Sequence, residues 1–345
     1  MTGRSRLAAA LAALLLVAAC VAPAPGGPIE VTLMTHDSFA ISDEMRAELE
    51  RQHGIRLRVL QAGDAGAMVN QAILARDAPL ADVLFGIDNT FLSRALEAGI
   101  FERYTSPLLG QVPDALRAGV APEVTPIDYG DVCLNYDRAA FDGALPPPAS
   151  LAELADARYR GMLVVENAAT SSPGLAFLLA TVAELGADEW QAYWAQLVAN
   201  DVLVVDGWEE AYYSHFSATG GERPIVVSYA TSPVAEVVFS DPPTDEPPTG
   251  VVTAGCFRQV EYAAVLAGTD QPAAARTVID FLLGPAFQAE VPLAMYVFPA
   301  NASVALPDVF EQHAARVDEP LTMPAAEIDA NRERWIAEWT EIVLR

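Results

Sequence analysis

Apolar positions along this chain come as short runs alternating with stretches of helical period, and the alternation repeats about every 25 residues. Ile29–Thr35 is a strand-like apolar run that ends at His36-Asp37-Ser38-Phe39. Ser42 then caps a helix reaching Arg51, with Met45 and Leu49 four apart and Gly54 as its stop. Arg56–Leu60 alternates as a strand, and the turn Gly63-Asp64-Ala65-Gly66 opens a helix carrying Met68, Val69, Ala72 and Ile73. Ala81–Ile87 is a third strand, closed by Asp88 and Asn89 before the helix Phe91–Ala98 and its terminator Gly99. Strand, helix, strand, helix at this spacing predicts parallel βαβ units.

The second half repeats the pattern after a crossover. Residues Thr125–Tyr136 lead out of the first unit, Ser150 opens a short helix, and Met162–Glu166 is a strand. Hydroxyls and a proline at Thr170-Ser171-Ser172-Pro173 begin an apolar helix to Leu185, the expected helix opening and also an anion site. In Asp188–Asn200 the side chains Trp190, Tyr193, Trp194 and Leu197 share one face, which is core spacing. Two buried runs then stop at small or polar residues, with an aromatic at the mouth of each following helix: Val205–Tyr212 carries Trp208, and Val227–Pro233 carries Tyr229, Ala230, Thr231 and Ser232. Open α/β sheets bind ligands at the carboxyl ends of their strands, and an indole beside a phenol suits a flat or cationic ligand. Arg258–Ala267 is a second crossover, Tyr296–Asn301 a short extended segment, and Ala325–Leu344 an amphipathic helix. A first lobe that is left and re-entered predicts two α/β lobes with a ligand cleft between them: residues 29–130 plus 260–304, and residues 131–259, with a helical tail at 305–345.

Residues 1–19 belong to neither lobe. Arg4 and Arg6 precede the apolar run Leu7–Ala19, too short for a bilayer, which needs about 20 residues. Val17-Ala18-Ala19-Cys20 resembles a lipobox, in which Cys20 is acylated and becomes the mature N-terminus, and residues 20–28 then form a tether. Removing residues 1–19 takes away two arginines and no acid, which carries the net charge from −26 to −28. Such a surface repels nucleic acid and attracts cations. The chain has no lysine, which excludes a Walker A loop and Schiff-base chemistry. With Cys20 lipidated, Cys133 and Cys256 remain in strand-like stretches of an exported protein, and a disulfide between neighbouring strands is expected; neither has histidines at metal-ligand spacing. No G-x-S-x-G or H-E-x-x-H motif occurs, and His36, His53, His215 and His313 are scattered, so nothing marks a secreted enzyme. Tyr212-Tyr213 raises a ferric-ion alternative, against which both tyrosines are read as core of a helix.

Five stretches in one order carry a resemblance: Thr35–Phe39, Ala81–Asn89, Thr170–Leu175, Gly207–Tyr212 and Ser228–Pro233. Over nearly the whole mature chain the sequence resembles the periplasmic thiamine-binding proteins of ABC importers, within the type II solute-binding fold. That resemblance implies a two-lobed, non-enzymatic lipoprotein, monomeric and without cofactor or metal, that delivers thiamine, a thiamine phosphate or an analogue to an importer's permease. It implies that Trp208 stacks on a ring of the vitamin. Tyr229, Ala230, Thr231 and Ser232, with Ser171 and Ser172, would hold polar or phosphate groups, while Asp64 and Ala65 would meet the aminopyrimidine. His36, beside Asp37, and Tyr296 stand where the family shows tyrosine and tryptophan, and Ala235 stands where it carries an aromatic.

Overall fold

The computed structural model describes residues 27–117, 120–141, 143 and 145–345. The leader at 1–19, Cys20 and most of the tether lie outside the described residues. The first elements are β1 (Ile29–Thr35), α1 (Asp43–His53), β2 (Ile55–Gln61), α2 (Ala65–Leu74), β3 (Val83–Asp88), α3 (Leu92–Glu97) and α4 (Asp114–Arg117). Then come β4 (Val124–Asp137), α5 (Leu151–Leu154), β5 (Leu163–Glu166), α6 (Ser172–Leu185), α7 (Trp190–Ala199) and β6 (Leu203–Val205). A short α8 (Trp208–Glu210) runs into a π-helical turn, Ala211–His215, before β7 (Ile225–Tyr229) and α9 (Ser232–Val238). The chain closes with β8 (Thr249–Val265), α10 (Pro272–Leu283), α11 (Pro285–Ala294), β9 (Phe298–Pro299), α12 (Asp308–His313) and α13 (Ala325–Val343).

Local chemistry sets these boundaries. The Ser42 hydroxyl accepts from the Met45 N–H at 3.1 Å, and Gly54 ends α1 in the left-handed region with φ 65°. Proline occupies the first turn of α6, α9, α10 and α11, where its missing N–H leaves no bond unmade. One sheet runs through the molecule in the order β2-β1-β3-β8-β4-β7-β5-β6, with β9 on β4. Strand β1 is parallel to β2 and β3, and β5 is parallel to β6 and β7. Between these two wings β4 and β8 pair antiparallel from Val124↔Ala264 to Asp137↔Thr249, so both strands belong to each wing. All of β3 and all but the last residue of β7 are buried, as parallel strands covered by helices on both faces must be.

Cys133 and Cys256 sit side by side on β4 and β8 and are joined by a disulfide of 2.04 Å, packed with Ala230. Trp190, Tyr193, Trp194 and Leu197 all face the core. Helix α13 reaches both wings: Trp339 meets Trp194 of α7 edge-on at 5.5 Å, and the Arg332 guanidinium lies 5.8 Å from the Phe91 ring beside α3. One expectation is corrected. Tyr212 and Tyr213 do not both serve the core, because consecutive residues of a helical turn face different directions; Tyr212 is buried while Tyr213 is 58% exposed.

Candidate functional site

A cavity of about 260 Å³ lies where the two wings face each other. The carboxyl end of β1 brings His36, Asp37 and Ser38, and the first turn of α2 brings Asp64 and Ala65. Opposite them stand Ser172 and Pro173 of α6, Trp208 of α8, Tyr229 at the end of β7, and Ser232, Ala235 and Glu236 of α9. Glu261 of β8 and the segment Met295-Tyr296-Val297 close the remaining sides. Most of the walls are strand ends or helix N-termini, which is where an α/β sheet leaves polar groups and space.

The aromatic wall is itself braced. The Trp208 ring stacks on Tyr212 with centroids 5.1 Å apart at 27°, and Tyr213 and Tyr229 meet it edge-on at 5.6 and 6.3 Å. Its indole N–H donates to the Ser228 hydroxyl at 2.9 Å, and that hydroxyl lies 2.8 Å from the Ser232 hydroxyl. Tyr212 donates its hydroxyl to Glu236 at 2.6 Å. Tyr296 holds φ 57°, a left-handed conformation uncommon for a tyrosine and of a kind concentrated at ligand sites. Its carbonyl accepts from the Thr231 hydroxyl, and its ring lies 5.8 Å from Phe239, which is 74% exposed at the rim.

Asp64 ties the two wings together. Its Oδ1 accepts from its own helix at Ala65 N, 2.6 Å, and from the first N–H of α6 at Ser172, 3.3 Å. Its Oδ2 accepts from the first N–H of α8 at Trp208, 3.0 Å. A carboxylate has about four acceptor positions, so three backbone donors leave little capacity for a ligand amine. Burial raises the Asp64 pKa above the ordinary carboxylate value, and the Trp208 N–H, the Ser171 hydroxyl, the Ala65 N–H and His36 oppose the rise.

Most of the acids beneath the cavity are pushed towards their neutral form. Burial pushes Asp88 up to about 7. Burial also raises Asp128 well above the usual range, helped by Glu261, its register partner on β8. Glu166 is raised well above its ordinary value by burial as well. Glu261 is the exception: burial would raise it, but the His36 imidazole, joined by Asp128 and Gln259, outweighs that and holds it low. Nε2 of His36 lies 3.4 Å from Glu261 Oε1. A carboxylate held low among raised ones, beside flat aromatic faces, is a setting that suits a flat cation. Among the described residues, no group of three or more His, Cys, Asp or Glu side chains is placed to hold a metal ion.

Of the residues picked from the sequence, His36, Asp37, Asp64, Ala65, Ser172, Trp208, Tyr229, Ser232 and Tyr296 border the cavity. Ser171, Ala230 and Thr231 are buried and do not border it. Ser171 is the buried N-cap of α6; Ala230 packs on the disulfide; Thr231 turns its hydroxyl to the Tyr296 carbonyl. The two-residue turn between Tyr229 and Ser232 puts both of its residues, Ala230 and Thr231, in the interior. Glu261, Tyr213, Glu236 and Phe239 were missed. Glu261 had a visible signal, a lone carboxylate inside the apolar run Val260–Val265.

Residues 78–318 match the family described as bacterial extracellular solute-binding protein. The chain belongs to that family. It is similar to the thiamine-binding periplasmic protein of Escherichia coli (strain K12), with 31% identity over 337 residues, 96% of this chain and 98% of that one. The thiamine-binding periplasmic protein of Brucella abortus biovar 1 (strain 9-941) is 29% identical over 92% of this chain and 93% of its own. Among solved structures, a periplasmic thiamin binding protein superimposes with a TM-score of 0.82 at 28% identity, covering 92% of this chain and 97% of that one. A ferric binding protein from Campylobacter jejuni gives 0.73 at 19% identity over 90% and 99%, a likeness of fold alone. The protein is therefore a type II solute-binding protein whose role is binding rather than catalysis.

Proposed function

We propose that this protein captures thiamine, or a phosphate ester or analogue of it, between its two wings and delivers it to the permease of an ABC importer. The observation that carries the reading is the opposition, across one cavity, of the Trp208–Tyr212–Tyr213 aromatic wall and the ionised Glu261. Thiamine is flat at both rings and carries a fixed positive charge, so each wall has a partner. In this reading residues 29–130 and 260–304 form one lobe and 131–259 the other; the tail at 305–345 straps both, as the contacts of α13 with α7 and Phe91 suggest. Cys20, acylated, anchors a monomeric protein outside the cytoplasm by the tether at 20–28. Ser172 at the N-terminus of α6 and Tyr229 hold the polar end of the ligand, and Trp208 stacks on a ring with the face that Tyr212 leaves free.

Calorimetric titration of the soluble domain with thiamine, its mono- and diphosphate and the hydroxymethyl pyrimidine tests this. Saturable one-to-one binding of at least one thiamine form supports the reading. Absence of heat with all four ligands would sink it.

A further inference from the structure

Glu261 is the one carboxylate beneath the cavity held below its ordinary pKa, and a side chain of this protein already occupies it. His36 stands directly after β1 with its ring over Gly86 of β3; a Cβ at position 86 would lie 2.1 Å from Cδ2 of the imidazole, and Gly86 itself has φ +93°. Only glycine leaves that seat open. The Phe85 ring flanks it at 5.7 Å. From this seat Nε2 reaches Glu261 Oε1 at 3.4 Å, an ion-pair contact without hydrogen-bond geometry. A buried ion pair that lacks such a bond is a weak one and open to exchange.

We propose that His36 is the cavity's own counter-ion: its imidazolium holds Glu261 while the cavity is empty and loses its Nε2 proton to solvent when a cationic ligand takes over that carboxylate, so capture of the cation releases one proton. This rests on the thiamine reading above. One N–H bond breaks, the proton goes to water or buffer, and no other bond changes.

The charges facing His36 support the exchange. Glu261 comes from β8, Asp64 from the cap of α2, Asp37 from the adjoining position and Glu209 from α8, while Asp88 of β3 and Asp128 of β4 stand behind Glu261. Burial draws the imidazole towards neutrality, but Glu261, then Asp64 and Asp37, outweigh it and raise its pKa above 6.5. In the empty cavity the surrounding carboxylates therefore favour the imidazolium form of His36 over the neutral ring. A second cation beside Glu261 repels the imidazolium and lowers that pKa. Between the lowered and the raised value, affinity for the cation rises with pH by up to about tenfold per unit, and above it affinity is flat.

The test is calorimetric titration with thiamine between about pH 6 and about pH 8 in two buffers of different ionisation enthalpy, the window in which an imidazole titrates. The wild type is expected to release close to one proton at the acid end, with affinity several-fold tighter at the alkaline end. His36→Gln is expected to bind thiamine with buffer-independent heat and a flat pH profile. Buffer-independent heat in the wild type overturns the proposal while leaving the thiamine reading standing; no heat in any buffer overturns both. Should His36→Gln fail to fold, the NMR titration of the His36 imidazole in the wild type decides. A fall in its pKa on saturation supports the exchange, and an unmoved pKa overturns it.

Discussion

The two sides of the cavity are built from different chemistry. The wing of β1, β2 and β3 supplies charge: His36, Asp37 and Asp64 at the surface of the cavity, with Asp88 behind them. The wing of β5, β6 and β7 supplies flat rings, Trp208, Tyr212, Tyr213, Tyr229 and Phe239, with Glu236 tied up by the Tyr212 hydroxyl. Glu261 stands between them on β8, a strand both wings share. A ligand that satisfies only one side leaves the other unmatched, either desolvated charge or uncovered apolar surface. Division of labour across the cleft favours molecules that are flat and cationic at once.

The sharpest way to break this comparison is to contrast two tryptophans of the aromatic wing. Trp194 is enclosed: Phe177 and Trp339 meet it edge-on at 5.5 Å each, and its indole N–H donates to Thr181 at 3.0 Å. Trp194→Ala should cost about 3–5 kcal/mol of stability, read by denaturant unfolding, with thiamine affinity unchanged in the folded fraction. Trp208 borders the cavity, and its backbone N–H, which survives substitution, is what binds Asp64. Trp208→Ala should weaken binding by about 2 kcal/mol, roughly thirtyfold, and abolish saturable fluorescence quenching, with a smaller loss of stability. Equal affinity in wild type and Trp208→Ala would remove the indole from the site.

The charged wing has its own signature in the empty protein, and its size lies between those two effects. A buried carboxyl whose folded pKa is raised binds more protons folded than unfolded, so stability falls as pH rises from the unfolded value to the folded one. For Asp88, raised to about 7, the window runs from about pH 4 to about pH 7. Its shift sets an upper bound of about 4 kcal/mol on the loss. His36, raised by Glu261, adds to the same direction, because its stabilisation is complete below 6.5 and fades as pH rises through its folded value. Glu261, held low, acts only at the acid end, where its protonation destabilises. Thermal unfolding should therefore show a higher midpoint near pH 5 than near pH 8, roughly the span over which these groups titrate. Asp88→Asn should flatten part of that slope while keeping the bonds from Thr90 and Phe91, because its amide oxygen takes the place of Oδ1 and its amino group fills the unpartnered Oδ2 position. An unchanged slope would assign the pH dependence to other groups.

Much of this was legible before any coordinates. Strand ends followed by helix caps, such as Thr35-His36 or Tyr229-Ala230, announce where a sheet opens, and periodicity placed Trp190 and Trp194 in the core. What local pattern does not carry is which residue of a turn faces inward. Tyr229 and Ser232 reach the cavity, whereas Ala230 and Thr231 between them are buried away from it. Nor does it reveal pairings across the sheet. Asp128 and Glu261 lie 133 positions apart and meet only because β4 and β8 cross the molecule in register. Asp64 was read as a ligand acceptor because a carboxylate in a turn has no visible partners in sequence; three backbone N–H groups, two of them from the opposite wing, take most of its capacity.

The rim gives the smallest and most discriminating effect. Phe239 ends α9, is 74% exposed, and meets Tyr296 at 5.8 Å with an interplanar angle of 63°. Little of its surface is buried in the protein, so Phe239→Ala should change stability by no more than about 0.5 kcal/mol. If the aromatic side of the cleft continues to its mouth, the ring covers part of the bound ligand, and its removal should weaken thiamine binding by about 0.5–1 kcal/mol, a factor of roughly two to five. The loss should appear mainly as faster release, since a rim contact forms after the ligand is seated and resists its departure. Stopped-flow dissociation separates the outcomes. Unchanged release would confine the aromatic side to Trp208 and the tyrosines around it, whereas slower association alone would make Phe239 a steering residue rather than part of the wall.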